Sequence, residues 1–400
     1  MAGCLQAPLR SAQTIVPGAP LRVGLRSQSQ EPPAQVRIPL EFRLVAACCR
    51  WPPSPSRDAA VREAAAAAID WEEVLAVVRR HRVDGLVHDG LMRAGVEPPA
   101  DVAGRLQASA QGIAVANLRY AAETARLSKA LAAAGLDHIF LKGLTLNVLA
   151  YGTLAVKRSS DIDIAFDPSV YPHALRVMEE LGYVGFHEGV ISPKHTIWVR
   201  QGVSVEIHNS LVDSAMMLPG IGVRSARQTV EVGPGVAVET LAREELFAYL
   251  CVHGAGHAWA RLKWLADVAA LIKHDAPDEI DRLHARSIEL GGGRSTGQAL
   301  LLCADLFGQT LSPRLEAALR SDRAMRYLAG AALKSMLRGI DHGTATIHFT
   351  HFRLMRGWRY KASELKRKFS AGADAEHGFS SLIQPVLAAP KWLIRRVGLR

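Results

Sequence analysis

Long hydrophobic runs are missing from this 400-residue sequence, although hydrophobic residues make up 49% of it. Arg, Lys, Asp or His interrupts the richest apolar windows, whereas a membrane-spanning helix needs roughly twenty apolar residues in a row. We therefore expect no transmembrane segment. The hydrophobic content itself is ordinary for a globular protein and excludes disorder throughout the chain.

Cysteine is scarce as well. The chain has five cysteines, an odd number, and the only close pair, Cys48 and Cys49, is adjacent in sequence. This spacing suits neither a disulfide framework nor a zinc knuckle, so we predict a reducing, cytoplasmic location. No neighbouring base or Gly-x-Ser-x-Gly turn accompanies a cysteine or serine, and nothing therefore indicates nucleophilic catalysis.

Acidic residues are few at both ends of the chain. Residues 1–37 contain four arginines and one acid, Glu31. This predicts a disordered segment or a start assigned too far upstream, with a transit peptide as the alternative.

Residues 351–400 contain eleven Lys or Arg and three Asp or Glu, which supplies most of the net charge of +10. A basic amphipathic tail at 346–400 is either a solvated helix or a peripheral contact for an anionic membrane or nucleic acid.

Helical patterns lie on both sides of a short stretch of strands. Residues 38–135 predict a helical cap, with a long helical pattern that ends at Gly135, and residues 243–345 predict a second helical domain. Residues 136–242 predict an α/β core instead. The predicted fold class is α+β, a small mixed sheet flanked by N-terminal and C-terminal helical regions.

The order of elements within the core can be read from its apolar and turn residues. We predict strands at 138–142 and 160–166, then a helix at about 170–181. A hairpin follows, with strands at 195–200 and 203–208. The predicted core therefore alternates strands and helices and closes with the two strands of the hairpin.

Three carboxylates fall on predicted strands. Asp161 and Asp163 alternate on one face of their strand, and Glu206 has the same phase as His208 on the last hairpin strand. Carboxylates held close together raise each other's pKa unless a cation lies between them. Mg²⁺ prefers oxygen ligands and combines one or two carboxylates with substrate phosphates, which makes these acids candidate ligands for Mg²⁺ or Mn²⁺. The alternative is a solvent-facing pair of aspartates.

Two cationic segments precede these acids. Lys142 and Gly143 stand where the first strand ends and a helical pattern begins, and a glycine there lets phosphate approach backbone N–H groups. Arg158 lies just before the Asp strand, where a guanidinium can neutralise a triphosphate. The order of phosphate turn, cation, Asp-x-Asp and third carboxylate is more specific than any one of its parts.

The motifs in this order resemble the uncharacterised nucleotidyltransferase family of the polymerase-beta-like superfamily. The matching residues are Leu141-Lys142-Gly143, Tyr151, Arg158, Asp161-Ile162-Asp163, Leu181-Gly182-Tyr183, Val205-Glu206-Ile207-His208, His253 to His257, Trp259 and Arg261 to Trp264 with Asp267, as well as Asp70-Trp71 and His81. The resemblance covers about residues 40 to 330. One departure is that Gly143 precedes Leu144, where the superfamily more often has Gly-Ser or Gly-Gly.

The resemblance implies a nucleotidyltransferase core that uses an NTP such as ATP and two metal ions. Asp161, Asp163 and Glu206 would be the catalytic and metal-binding acids. Lys142, Gly143, Arg158 and His208 would contact the nucleotide. The acceptor stays open among small molecules, peptides, proteins and RNA.

Two further interpretations compete with an active enzyme. One is a catalytically weak member of the same fold that binds nucleotide as a regulatory or antitoxin-like module, and the other is a protein that acts through its basic tail. His253 and His257 share a helix face, but Gly254 replaces the Glu that zinc proteases require, so we reject zinc hydrolysis. A core or supporting role fits these histidines better.

Overall fold

The structure is a computed structural model that describes residues 37–186, 195–338 and 345–373. The predictions for residues 1–36 and for the tail from residue 374 onward lie outside the described residues. Within the described ranges, no helix combines the length and the apolar character that crossing a membrane requires.

Helices occupy the N-terminal region, as predicted. They are α1 (Leu40–Cys48), α2 (Pro55–Ala65), α3 (Trp71–His81), α4 (Asp84–Ala94) and α5 (Ala100–Ala133). The Asp70 side chain caps α3, because it accepts hydrogen bonds from the backbone N–H groups of Glu72 and Glu73 at 3.0 and 3.2 Å. Gly135 follows α5 with a φ of 65°, a left-handed conformation that glycine adopts without strain.

A mixed sheet follows these helices. Its strands are β1 (His138–Phe140), β2 (Ile162–Phe166), β3 (Val184–Phe186), β4 (His195–Arg200) and β5 (Val203–His208). The strand order is β1-β2-β5-β4-β3, with β2 and β5 parallel and the other neighbours antiparallel. The predicted α+β fold class, a mixed sheet between helical flanks, is confirmed.

The polar and apolar residues of β2 separate as the two-residue period requires. Ile162 and Ile164 pack into the core beneath the sheet, and Asp163 points to the opposite side. The strand begins at Ile162, two residues later than predicted, so Asp161 lies just before it. Strands β4 and β5 match the predicted hairpin at both ends.

Short elements connect the strands. Helix α6 (Leu144–Leu146) continues into a π-helix at Asn147–Tyr151, and α7 (Tyr171–Glu180) leads to β3. Strands β6 (Arg227–Gly233) and β7 (Val236–Leu241) pair as a separate antiparallel hairpin. We did not predict this hairpin, although Pro234 and Gly235 mark its turn in the sequence.

The remaining elements are helical. They are α8 (Arg243–Gly256), α9 (Leu262–Leu271), α10 (Pro277–Glu289), α11 (Ser295–Phe307), α12 (Pro313–Ser321), α13 (Arg323–Arg338), α14 (Ala345–His351) and α15 (Trp358–Ala373). Helices α8 and α9 are largely buried, and the cleft-lining residues His257 and Arg261 lie between them in the chain. That placement brings the residues between them to the same cleft as the carboxylates.

The first part of the basic tail packs against the body of the protein. Tyr360 and Glu364 on α15 are buried, and the Tyr360 hydroxyl donates a hydrogen bond to the backbone oxygen of His351 at 2.9 Å. Trp358 is 74% exposed and marks the outer side of the helix. The described part of the tail is therefore anchored along one face.

Candidate active site

Parallel pairing of β2 and β5 sets the predicted acids side by side. Asp163 is directly opposite Glu206 in the register of the two strands. The His208 imidazole lies between them, with Nε2 3.0 Å from Asp163 Oδ1 and 3.5 Å from Glu206 Oε2. One ligand atom from each of the three side chains lies within 4.8 Å of the other two. The sequence predicted Asp161, Asp163 and Glu206 as the metal-binding acids, whereas this close group contains Asp163 and Glu206 together with His208.

Asp163 is the most deeply buried of the acids. Burial alone would raise the pKa of its carboxyl, but the Lys142 ammonium, 2.7 Å from Oδ1, and the hydrogen bond from His208 hold the pKa well below its usual range. Its second oxygen, Oδ2, is buried and has no hydrogen-bond partner. An ionised carboxylate with an unused buried oxygen favours a further cation at this position.

The pKa of Asp161 is shifted in the opposite direction from that of Asp163. It is partly buried, and only the Ser160 hydroxyl, 3.3 Å from Oδ2, donates a hydrogen bond to its side chain among the described residues. Burial and then the negative charge of Asp163 raise its pKa to about 6, against a smaller lowering effect of Lys142. Asp161 lines the cleft but stands outside the group formed by Asp163, Glu206 and His208.

His208 and Glu206 adjust each other's protonation. Burial would lower the pKa of His208, but its hydrogen bonds to Asp163 and Glu206 raise it above the ordinary value. Burial likewise would raise the pKa of Glu206, and the hydrogen bond from His208 lowers it. Glu206 is therefore ionised at neutral pH, with 22% of its side chain open to the cleft.

Gly143 comes close to the Asp strand at a position that suits glycine. Its φ of 69° and ψ of −118° are accessible to glycine and strained for other residues, and a Cβ here would lie 3.3 Å from the Asp161 backbone oxygen. Gly143 lines the cleft next to Lys142. It precedes helix α6, which continues into the π-helix, so a helical segment begins at this turn.

Arg158 reaches the cleft from the segment ahead of β2. Its guanidinium donates to the Ser109 hydroxyl at 3.1 Å, and Ser109 in turn donates to Asp84 at 2.9 Å. Arg158 therefore contacts α5 directly through an uncharged hydroxyl and α4 only through Ser109. Among the described residues, its guanidinium forms no direct ion pair. All seven predicted site residues are close to one cleft.

The cleft has a volume of about 380 Å³, which is within the usual range for a small-molecule site. Six of its lining residues are Lys or Arg, while four are Asp or Glu. The charged lining residues are Arg82, Lys142, Lys157, Arg158, Arg261, Lys263, Asp161, Glu206, Asp213 and Asp267. This excess of cations suits an anionic ligand.

Two groups of residues at the cleft were not predicted to contact a metal or a nucleotide. Lys157 Nζ lies 3.8 Å from Asp267 Oδ2, and the hydroxyl of Tyr151 donates to Asp267 Oδ1 at 2.9 Å. On the other side, His257 stacks on Trp264 with ring centroids 4.8 Å apart. Both groups belong to segments that carry the family resemblance, which was the only sequence signal for them.

The class of protein follows from comparison with known families. The family described as uncharacterised nucleotidyltransferase matches residues 67–308, which is more than half of the chain. The protein belongs to this family. A search of curated proteins finds no relative that matches the chain.

Proposed function

We propose that this protein transfers a nucleoside monophosphate from an NTP, such as ATP, to an acceptor oxygen, with a divalent metal bound by its cleft acids. The observation that carries the proposal is the placement of Asp163 opposite Glu206 on parallel strands, with His208 between them, at the base of a cation-rich cleft. Membership of a nucleotidyltransferase family gives the same reaction class.

The donor set fits a divalent metal. Asp163 Oδ2 is buried without a hydrogen-bond partner, and carboxylate oxygens are the ligands that Mg²⁺ and Mn²⁺ prefer. Asp161, Asp163 and Glu206 are the acids that we propose hold the metal, with His208 beside them. A metal bound there supplies Lewis-acid stabilisation of negative charge on the transferring phosphoryl group.

The chain's own cations bind and orient the triphosphate. Lys142 and Arg158 face the cleft and neutralise phosphate oxygens, and Gly143 leaves room for a phosphate beside the backbone. The acceptor oxygen forms a bond to the α-phosphorus while the bond from that phosphorus to the oxygen bridging to the β-phosphate breaks. Pyrophosphate leaves, and the acceptor proton goes to Glu206 or to solvent.

Label transfer tests the proposal directly. Purified protein is incubated with each NTP labelled at the α-phosphate, with Mg²⁺ or Mn²⁺, and with a cell extract fractionated by size. We expect metal-dependent label in one fraction, and its size separates a small molecule from a peptide, protein or RNA acceptor. The Asp161→Asn variant is the matched control, and equal labelling by that variant would contradict the proposal.

One observation favours a second candidate, a catalytically weak nucleotide-binding module. Lys142 and His208 already lie 2.7 and 3.0 Å from Asp163 Oδ1, so the charge of this carboxylate is balanced without a metal. For such a module, NTP binding persists in EDTA and no label is transferred. A cytoplasmic location and contact of the tail with anionic membranes or nucleic acid stay predictions in either case.

A further inference from the structure

Three cations converge on one end of the cleft from separate parts of the chain. Arg82 follows α3, Lys157 lies ahead of β2, and Lys263 lies in the first turn of α9. All three line the cleft that holds the carboxylates. Arg82 has a φ of 55°, a left-handed conformation that is uncommon for a residue with a side chain.

The acids nearby do not balance these charges. Asp267 is buried and 3.8 Å from Lys157, but its other oxygen already accepts the hydrogen bond from Tyr151. Within residues 37–186, 195–338 and 345–373, Lys263 forms no ion pair. Its closest aromatic contact is the Trp264 ring, with Nζ 6.0 Å from the centroid. A cation–π contact at that distance contributes too little to replace a paired anion.

The lowered pKa of Lys263 reflects the same excess of positive charge. Burial and the positive charge of Lys157 lower its pKa to about 8. An anion placed among these cations would remove that repulsion and would gain charge-assisted hydrogen bonds in a partly buried site.

We propose that Arg82, Lys157 and Lys263 form a phosphate-binding subsite of the cleft, with Asp267 and Tyr151 positioning Lys157. The inference rests on the proposed function, because it names where a phosphate of the substrates binds. Phosphate is favoured over a single carboxylate because three cations face two acids, Asp267 and Asp161, and a phosphate group carries more charge and more acceptor oxygens than a carboxylate. The phosphate belongs either to the end of the NTP triphosphate or to a phosphorylated acceptor.

Binding of inorganic tripolyphosphate without metal tests the subsite by itself. The full chain is titrated by calorimetry in EDTA, and Lys263→Gln is compared with wild type and with Lys129→Gln, a variant at an exposed position of α5 away from the cleft. We expect Lys263→Gln to bind at least about tenfold more weakly, as for the loss of one charge-assisted contact. Lys263→Arg keeps the charge and should retain binding. Equal affinity of Lys263→Gln and wild type would overturn the subsite.

Two further arms identify the source of the phosphate. If the NTP supplies it, wild type prefers ATP to AMP in EDTA, and Lys263→Gln loses most of that preference. If the acceptor supplies it, inorganic phosphate binds wild type already saturated with a non-hydrolysable NTP and Mg²⁺, and Lys263→Gln loses this binding. Either result supports the subsite, and no effect of the variant in both arms refutes it.

Failure of the subsite and failure of the proposed function give different results. The tripolyphosphate titration involves neither metal nor turnover, so an inactive protein can still show the loss in Lys263→Gln. Conversely, a protein that transfers label with metal but binds tripolyphosphate equally in both forms would keep the proposed function and lose the subsite. The melting temperature of Lys263→Gln should be equal to or higher than that of wild type, because no ion pair is removed and the repulsion from Lys157 is relieved.

Discussion

Lys142 Nζ lies 2.7 Å from Asp163 Oδ1, and the same oxygen accepts a hydrogen bond from His208 Nε2 at 3.0 Å. Asp163 is therefore held as a carboxylate. Asp161, two residues earlier, lacks such a cation contact, and its pKa is raised to about 6. The two aspartates of one motif thus differ in how they affect folding, although we propose that both serve the same reaction.

For Asp161→Asn we expect loss of transfer with equal or higher stability. A carboxyl whose folded pKa is raised destabilises the fold progressively as pH rises from its ordinary value of 3.8 through about 6. Asn carries no charge, so its advantage in melting temperature should grow over that window in EDTA. Thermal unfolding against pH measures this, and a variant less stable than wild type at neutral pH would contradict it.

For Asp163→Asn we expect loss of transfer together with loss of stability. The substitution leaves Lys142, with 20% of its side chain exposed, without its anionic partner. Breaking a buried ion pair from one side costs about 3 kcal/mol. Urea unfolding measures the change, and the double variant Lys142→Met with Asp163→Asn should recover part of it. Near-wild-type turnover of either aspartate variant would show that the Asp pair is structural.

Much of the sheet could be predicted from the sequence, because its signals are local. The alternation in β4 and β5 and the Asp161-Ile162-Asp163 pattern each lie within a few residues. The pairing of Lys157 with Asp267 is different, since it joins residues more than a hundred positions apart. The apolar periodicity of the sequence cannot predict such a distant contact, because it forms only when α9 packs beside the core.

The arrangement of the candidate metal ligands was predictable only where it depends on local sequence patterns. Strand phase placed Glu206 and His208 on one face, but the parallel register that sets Asp163 opposite Glu206 depends on a long connection. The position of Asp161 outside the closest ligand group follows from where β2 begins. A difference of two residues in a strand boundary decides this, and the sequence pattern does not resolve it.

For Glu206→Gln we expect NTP binding to persist while turnover falls at least about a hundredfold. Glu206 is the acid of the close ligand group that keeps 22% of its side chain exposed in the cleft, where the acceptor oxygen would arrive. Rapid-mixing turnover and a fluorescent NTP titration separate the two effects. Glu180→Gln, at an exposed end of α7, is the matched control. Equal losses of binding and rate would reassign Glu206 to the triphosphate side.

Acid should destabilise the protein through His81. This buried imidazole accepts a hydrogen bond from the Leu262 backbone N–H at 2.9 Å, and burial lowers its pKa to about 3. The unfolded chain takes up the proton below the ordinary value of 6.5, so stability falls by up to about 1.4 kcal/mol per pH unit between 6.5 and about 3.

Urea unfolding as a function of pH tests this role of His81. His81→Gln should be less stable at neutral pH but should lose less stability on acidification. His173→Gln, at an exposed position of α7, should follow wild type throughout. A wild-type slope equal to that of His81→Gln would mean that the folded protein protonates His81 as readily as the unfolded chain does.

The basic tail should divide into an anchored part and a dispensable part. The sequence predicts that removal of everything after Gly357 spares the chemistry, because no proposed ligand lies there. The structure adds that Tyr360 and Glu364 are buried and that His351, which Tyr360 contacts, bonds the Gly256 backbone oxygen at 2.9 Å. Gly256 adjoins the cleft residue His257, so α15 supports one wall of the cleft.

Two truncations separate these parts. A chain that ends at Ala373 should keep its melting temperature and its metal-dependent transfer, because the described contacts of α15 remain. It should bind anionic vesicles more weakly and with a smaller salt dependence, since four cations are removed and counterion release scales with the number of contacts. The cations removed are Lys391, Arg395, Arg396 and Arg400.

A chain that ends at Gly357 should instead unfold at a lower temperature, because it exposes the apolar surface that Tyr360 covers. The transfer rate per folded molecule, measured below that temperature, then shows whether α15 supports only the fold or also the cleft. A raised KM with unchanged kcat would indicate that the wall near His257 contributes to substrate binding. Loss of transfer in the Ala373 truncation, with folding intact by circular dichroism, would refute the division and would place the distal cations at the active site.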